Sequence, residues 1–392
     1  MYDGSMRIAI FALNTLCLPT MRDVIVIGGG LAGLVNAILL KRSGLDVVLI
    51  EKKRYPFHRV CGEYISNEVI PFLEDHDLYP HELEPARIEK FQLTSVGGNQ
   101  LHMDLDLGGF GISRFAWDQW LVNKLRASGG EVREATEVKD VQWQEDHFNC
   151  ILQTGETLQA KLVIGAFGKR STLDKRMERP FMRERSPYVG VKYHVRTEMD
   201  EHTVALHNFY HGYCGINKVE ADRYNLCYLT HRRNLKKFGS IAAMERAVLW
   251  QNPHLRAIFK HSDFLFDKPE VINEITFRRK ELVHGGVLMC GDAAGMITPL
   301  CGNGMGMAIH AARLLSQIIL ENWDGQAPRR SKITANYDQV WRQQFEKRLW
   351  AGRKIQDWFG HPVTSGMAVM AGKMIRPLAR TLMKQTHGEP FL

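Results

Sequence analysis

The stretch from Asp23 to Glu51, DVIVIGGGLAGLVNAILLKRSGLDVVLIE, restricts what this chain can become more than any other. Val24 to Ile27 is a continuous apolar run with the length and branching of a strand buried on both faces. It enters Gly28, Gly29 and Gly30, then a helical pattern carrying Ala32, Leu34, Ala37, Ile38 and Leu40, which Gly44 stops. A second apolar strand, Val47 to Ile50, ends on Glu51. Gly28, Gly30 and Gly33 satisfy G-x-G-x-x-G inside this βαβ unit. The first permits the tight turn, the second lets backbone approach a pyrophosphate, and the third lets helix and strand pack closely. The helix N-terminus at Gly30, Leu31 and Ala32 offers N–H groups and partial positive charge to that pyrophosphate. Glu51, about 18 residues past the last glycine, is spaced to accept hydrogen bonds from a ribose. The unit predicts dinucleotide binding.

Beyond Glu51, Lys52 and Lys53 fall beside the adenosine end of such a ligand. The loop KKRYPFHRVCGEYIS brings Arg59, Cys61, Gly62, Glu63 and Tyr64 to where the chain could swing back towards the ligand's other half. Residues 88–103 alternate as strands. Ser113 is the expected N-cap of an amphipathic helix with Trp120, Leu121 and Leu125 inward. Arg114, in its first turn, opposes the helix dipole and so predicts another partner, such as a phosphate. Leu162 to Ala166 reads as a further buried parallel strand.

From about residue 172 to 284 the pattern changes. Val189, Val191, Tyr193 and Val195 alternate with polar residues, Tyr213 to Leu229 reads as a hairpin, and 241–259 as helix. This predicts an inserted, mostly antiparallel sheet enclosing a substrate chamber. The strand Val287 to Met289 then leads to Gly291-Asp292, and Pro299 to Met305 (PLCGNGM) forms a second glycine-rich turn feeding a long helix. Its free N–H groups suit a ring that gains negative charge on reduction, and Asp292 suits a sugar-alcohol hydroxyl.

The architecture expected is α/β with an α+β insert: a Rossmann-like dinucleotide domain, discontinuous over 21–171 and 285–322, an inserted substrate sheet over 172–284, and a C-terminal helical region over 323–392. Residues 1–20, with Arg7 and the short apolar run Ile8 to Leu18, read as an extension ahead of Met21. The formal charge of +8 is matched by no long basic helix interleaved with aromatics, so nucleic acid is not an expected partner. The seven cysteines are scattered without C-x-x-C or zinc-ligand spacing, which predicts no structural metal and reduced, cytoplasmic thiols. The tail from Met367 carries an apolar stripe through Met370, Met374, Leu378 and Leu382. Packing against its own domain is the expected use; an interfacial helix at the inner membrane face is the alternative.

Together these motifs resemble the FAD-dependent oxidoreductases of the p-hydroxybenzoate hydroxylase and geranylgeranyl reductase group over roughly residues 23–322. The resemblance implies that Gly28, Gly30, Gly33 and Glu51 hold the ADP half of FAD and that Arg114 contacts the cofactor. It implies that the Val138 backbone meets the adenine, that Gly291-Asp292 holds the ribityl chain, and that Gly302, Gly304 and Met305 lie against the isoalloxazine. Arg59-Val60-Cys61-Gly62-Glu63 resembles the K/R-x-C-G-G/E segment of the reductase-like branch, which sets Cys61, Glu63, Tyr64 and Pro299 as residues of the flavin face nearest substrate. Two departures stand out. The family's Asp-Gly motif is here Phe167-Gly168-Lys169-Arg170, with the two cations as candidate contacts for the phosphate of NADH or NADPH. The halogenase W-x-W-x-I-P is replaced by Tyr213-Cys214-Gly215-Ile216-Asn217, which argues against halogenation.

The function expected is an FAD enzyme reduced by NAD(P)H, hydroxylating a hydrophobic aromatic or polyketide-like substrate. Reduction of isoprenoid C=C bonds is the alternative, and a non-catalytic FAD-carrying subunit a further one. Tyr64, Tyr193, Tyr210 and Tyr213 are expected to pack rather than catalyse. The oligomeric state is left open.

Overall fold

A computed structural model describes residues 21–356, 359–374 and 388–392. Its elements run β1 (Arg22–Ile27), α1 (Leu31–Arg42), β2 (Val47–Ile50), β3 (Tyr64–Ser66), α2 (Ile70–Asp75), β4 (Ala86–Thr94), β5 (Gln100–Gly111) and α3 (Arg114–Ala127). Then come β6 (Glu131–Arg133), β7 (Val138–Gln144), β8 (His147–Leu152), β9 (Thr157–Gly165), α4 (Thr172–Arg176), β10 (Tyr188–Arg196), β11 (Thr203–Phe209), β12 (Gly212–Lys218) and β13 (Tyr224–His231). The last third holds α5 (Arg232–Phe238), α6 (Ile241–Val248), α7 (Pro253–His261), β14 (Asp263–Phe264), β15 (Glu270–Ile275), β16 (Val283–His284) and β17 (Val287–Met289). Three longer helices close the order: α8 (Gly304–Glu321), α9 (Arg330–Gln356) and α10 (Pro362–Met374).

The first sheet centres on the parallel order β17-β9-β1-β2-β6, with β7 and β8 added antiparallel beyond β9. Val24, Ile25 and Val26 are fully buried, and α1 is buried from Leu31 to Leu40, because α3 and α8 flank it over the sheet. A strand and helix covered on all sides account for the unbroken apolar reading of the opening motif. Gly33 makes the packing possible: a Cβ there would stand 1.9 Å from the Gly28 carbonyl oxygen. Gly28 itself turns at φ +104°, a region side chains disfavour.

The second sheet runs β10-β13-β12-β11-β4-β5-β3, with β14 and β15 both on the outer edge of β10. It is antiparallel except for β11 with β4. The expected sheet within 172–284 is thus enlarged by three strands from residues 64–111, joined through a pairing more than a hundred residues apart in sequence. Val189, Val191, Tyr193 and Val195 face α6 and α7, where Met244, Val248 and Leu255 complete a separate core. The intervening Gly190, Lys192 and His194 are also buried, so the sheet is covered on both faces.

Two local expectations change. In α3 the wholly buried indole is Trp117, while Trp120 is half-buried beneath the Lys124 ammonium. On α10 the packed residues are Ser365, Val369 and Gly372, whereas Met370 and Met374 are exposed; Leu378 and Leu382 lie outside the described residues, as does the extension over 1–20.

Candidate active site

One cavity of about 830 Å³ runs from the glycine turn after β1, past the β17 turn, into a chamber against the second sheet. Its near end is made by Gly28, Gly30, Leu31, Ala32, Glu51, Lys52, Thr136 and Val138. No side chain caps α1, whose N-cap is Gly30, and its first turn has no acid. The N–H groups and dipole are therefore presented to the cavity, the arrangement an anionic pyrophosphate needs.

Glu51 is buried and already busy. Its carboxylate accepts from Gly29 N (2.9 Å), Lys53 N (3.0 Å) and Arg59 Nη2 (3.2 Å). Two carboxylate oxygens carry about four acceptor positions, so one remains for a ribose hydroxyl. Arg59 also donates to the Gly29 carbonyl (2.8 Å) and to Asp118 Oδ2 (2.8 Å). The partner anticipated for Arg114 is this same carboxylate: Nε and Nη2 grip Asp118 at 2.6 and 2.9 Å. Asp118 thus fixes two guanidinium groups, and Arg114 still faces Gly30, where a Cβ would lie 3.5 Å from Nη2. Sequence reading passed over Asp118, although its i,i+4 spacing from Arg114 was visible.

At the β17 turn, Gly291 adopts φ +64° and Asp292 faces the cavity. Among the described residues the Asp292 carboxylate makes no hydrogen bond, and burial raises its pKa. Its backbone is clamped from behind, since Lys280 Nζ donates to the carbonyls of Asp292 (2.7 Å) and Lys169 (2.6 Å). Arg179 holds the Ala293 carbonyl (3.0 Å) and pairs with Asp174 at 2.7 Å in full burial. Burial lowers the Lys280 and Lys169 ammonium groups to about 8. Lys169 and Arg170 line the cavity edge but are occupied internally, Lys169 by the Asn273 carbonyl and Arg170 by the Met182 and Glu184 carbonyls.

The second glycine turn sets Gly302 (φ +63°) and the uncapped start of α8 at Gly304 and Met305 beside the chamber. Tyr64 packs its ring against Gly302 and is 7 % exposed, its hydroxyl directed to the Gly108 carbonyl at 3.5 Å. Pro299 is exposed at the cavity rim. Cys61 lines the cavity, and burial raises its thiol pKa against the pull of the nearby Arg114 charge.

Glu63 departs from the expected role. It is wholly buried, at φ +52°, and its Oε1 accepts from Lys192 Nζ (2.5 Å) and Arg114 N (2.7 Å) while Oε2 meets His194 Nε2 at 2.7 Å. These contacts outweigh desolvation and hold its carboxyl down at about 2. A carboxylate so held cannot shuttle protons near neutral pH; it anchors the Cys61 loop to β10. Lys192 and His194 were legible only as the polar half of an alternating strand.

The chamber beyond is apolar: Phe91, Leu105, Val204, Leu206, Leu229 and Ile272 line it, with Gly190 and Gly215 making room. Tyr213 contributes a ring, whereas Tyr228 turns its ring into the core beneath α6, its hydroxyl donating to Glu245 at 2.8 Å. Tyr193 donates to Glu245 as well (3.0 Å), and Tyr210 is 43 % exposed, so both are outside the chamber chemistry.

Two uncapped helix starts, a carboxylate without a hydrogen-bond partner and a glycine cradle fit the phosphates, ribityl chain and ring of FAD. A family profile described as FAD binding domain matches residues 21–347. The chain belongs to this family. Digeranylgeranylglycerophospholipid reductase 1 of Methanopyrus kandleri is 22% identical over 356 residues, covering 86% of this chain and 90% of the relative. Among solved structures, a flavin-dependent brominase superposes with a TM-score of 0.75 at 17% identity, covering 93% of each chain. A geranylgeranyl bacteriochlorophyll reductase-like protein from Thermoplasma acidophilum gives 0.73 at 18% identity, covering 89% of this chain and 91% of that one. The likeness to the solved structures is one of fold. The protein is an FAD-dependent oxidoreductase, and its relatives over most of the chain include reductases.

Proposed function

We propose that this enzyme reduces isoprenoid carbon–carbon double bonds of a lipid-like substrate, with NADH or NADPH as the electron source. The observation that carries this reading is the apolar chamber that meets the Cys61, Tyr64 and Gly302 end of the cofactor groove within one cavity. A chain-length likeness to a digeranylgeranylglycerophospholipid reductase supports it. Bound FAD, once reduced, supplies hydride to one alkene carbon. The other carbon needs a proton, and Cys61, kept protonated by burial, is the donor in this reading, with Arg114 stabilising the thiolate until solvent restores it. Glu51, Arg59, Arg114 and Asp292 orient the cofactor, and the aliphatic wall excludes water.

Hydroxylation is the second reading, favoured by the aromatic surfaces of Phe91 and Tyr213 in the chamber. Chemically reduced holoenzyme, mixed without oxygen with a geranylgeranyl lipid, tests the choice. Return of the oxidised-flavin absorbance at a rate that saturates with lipid is the expected result. Reoxidation only by air, with consumption of oxygen stimulated by an aromatic substrate, would replace the reductase with a hydroxylase.

A further inference from the structure

Helix α10 has two faces with different obligations. Val369, 1 % exposed, packs with Leu93 and Leu101 of the second sheet and with half-buried Phe91 and Leu206. Phe91 and Leu206 also line the chamber, so α10 covers its outer wall. On the opposite face Val363, Met367, Met370 and Met374 are 61, 62, 61 and 79 % exposed. Steps of four, three and four residues place them in one stripe along the helix. In sequence, the stretch from residue 358 to 388 has no Asp or Glu and carries Lys373, Arg376, Arg380 and Lys384.

We propose that this stripe docks on an anionic lipid surface, setting the chamber wall against the bilayer from which a water-insoluble substrate is drawn. The inference rests on the reading of the chamber as a site for an isoprenoid lipid. An exposed apolar stripe within a basic, acid-free stretch of sequence is the pattern of an interfacial helix, whose apolar side enters the acyl boundary while cations meet headgroups. Among the described residues no helix is long and apolar enough to cross a membrane.

The test uses the full-length holoenzyme and vesicles of phosphatidylcholine with or without one-third phosphatidylglycerol. Yellow protein should sediment with the anionic vesicles, at least tenfold more than with neutral ones, and salt should release it. Met367→Glu/Met370→Glu, two exposed positions, should stay yellow and remain in the supernatant. No sedimentation with anionic vesicles, or sedimentation unchanged in the double variant, would overturn the proposal. A dimer that the double variant dissociates, without vesicle binding, would also overturn it and make the stripe a contact between copies. Turnover of detergent-dispersed lipid by the variant separates the outcomes: its loss from both proteins counts against the reductase reading, not against docking.

Discussion

Replacing Glu63 by Gln removes one charge from a site where two basic side chains and a backbone N–H converge out of water. The side chains of Glu63 and Lys192 are both wholly buried, 2.5 Å apart, and His194 is 2.7 Å from the other oxygen. Taking one partner from a buried ion pair costs about 3–5 kcal/mol, because the remaining ion stays desolvated. Gln keeps a carbonyl for Arg114 N, so the low end of that range, about 3 kcal/mol, is expected at pH 7. The same contacts draw the carboxyl down from 4.5 to about 2, a preference for the ionised form of the same order, about 3 kcal/mol at 1.36 kcal/mol per unit. The sign follows from linkage. The unfolded chain takes the proton first, so the contribution is complete above about pH 4.5 and is lost as pH falls towards 2. Thermal melts of the FAD-loaded protein should show a drop of roughly 4–6 °C at pH 7, at about 2 °C per kcal/mol for a large domain. The gap should narrow by about 1 kcal/mol at pH 4. Glu63→Gln/Lys192→Met should recover most of the loss. A single variant within about 0.5 kcal/mol of the parent, as for an ordinary surface change, would refute the buried-network account.

Other perturbations bear on the cofactor and the chemistry. Gly33→Ala places a Cβ 1.9 Å from a main-chain oxygen, so the purified protein should be colourless, read as flavin absorbance per protein. Asp292→Ala removes a charged acceptor worth about 1.5–3 kcal/mol, weakening FAD titrated into the apoprotein roughly 10- to 150-fold while the Lys280 and Arg179 clamps on backbone carbonyls preserve the fold. Asp118→Ala removes the carboxylate that Arg59 and Arg114 share and should lower both the melting temperature and FAD affinity, with Asp118→Asn intermediate. Cys61→Ala should leave flavin reduction intact and slow lipid reduction, with Cys61→Ser partly restoring it; equal rates for all three would remove Cys61 as proton donor.

What could be read in the sequence follows how local the coding is. The glycine turn, its helix and Glu51 form within thirty residues, so strand, turn and acid are legible in order. The Gly291-Asp292 and Gly302 turns are equally local. The chamber is not, because β4 and β5 join β11 across a long gap, and no periodicity in 86–111 names that partner. The network of Glu63, Lys192 and His194 escaped for a related reason: alternation in β10 identifies one apolar face, but only the fold shows that the polar face is buried too. Met370 and Met374 of α10 are exposed where packing was expected, because a helical stripe states which residues align, not which side meets the core.

The central claim is that the apolar chamber presents an alkene to the cofactor. Incubation of the holoenzyme with NADH or NADPH and a geranylgeranyl lipid, followed by mass spectrometry of the extracted lipid, tests it most directly. The account predicts products heavier by two hydrogens for each double bond consumed. An unaltered lipid, or a product heavier by one oxygen, would contradict it.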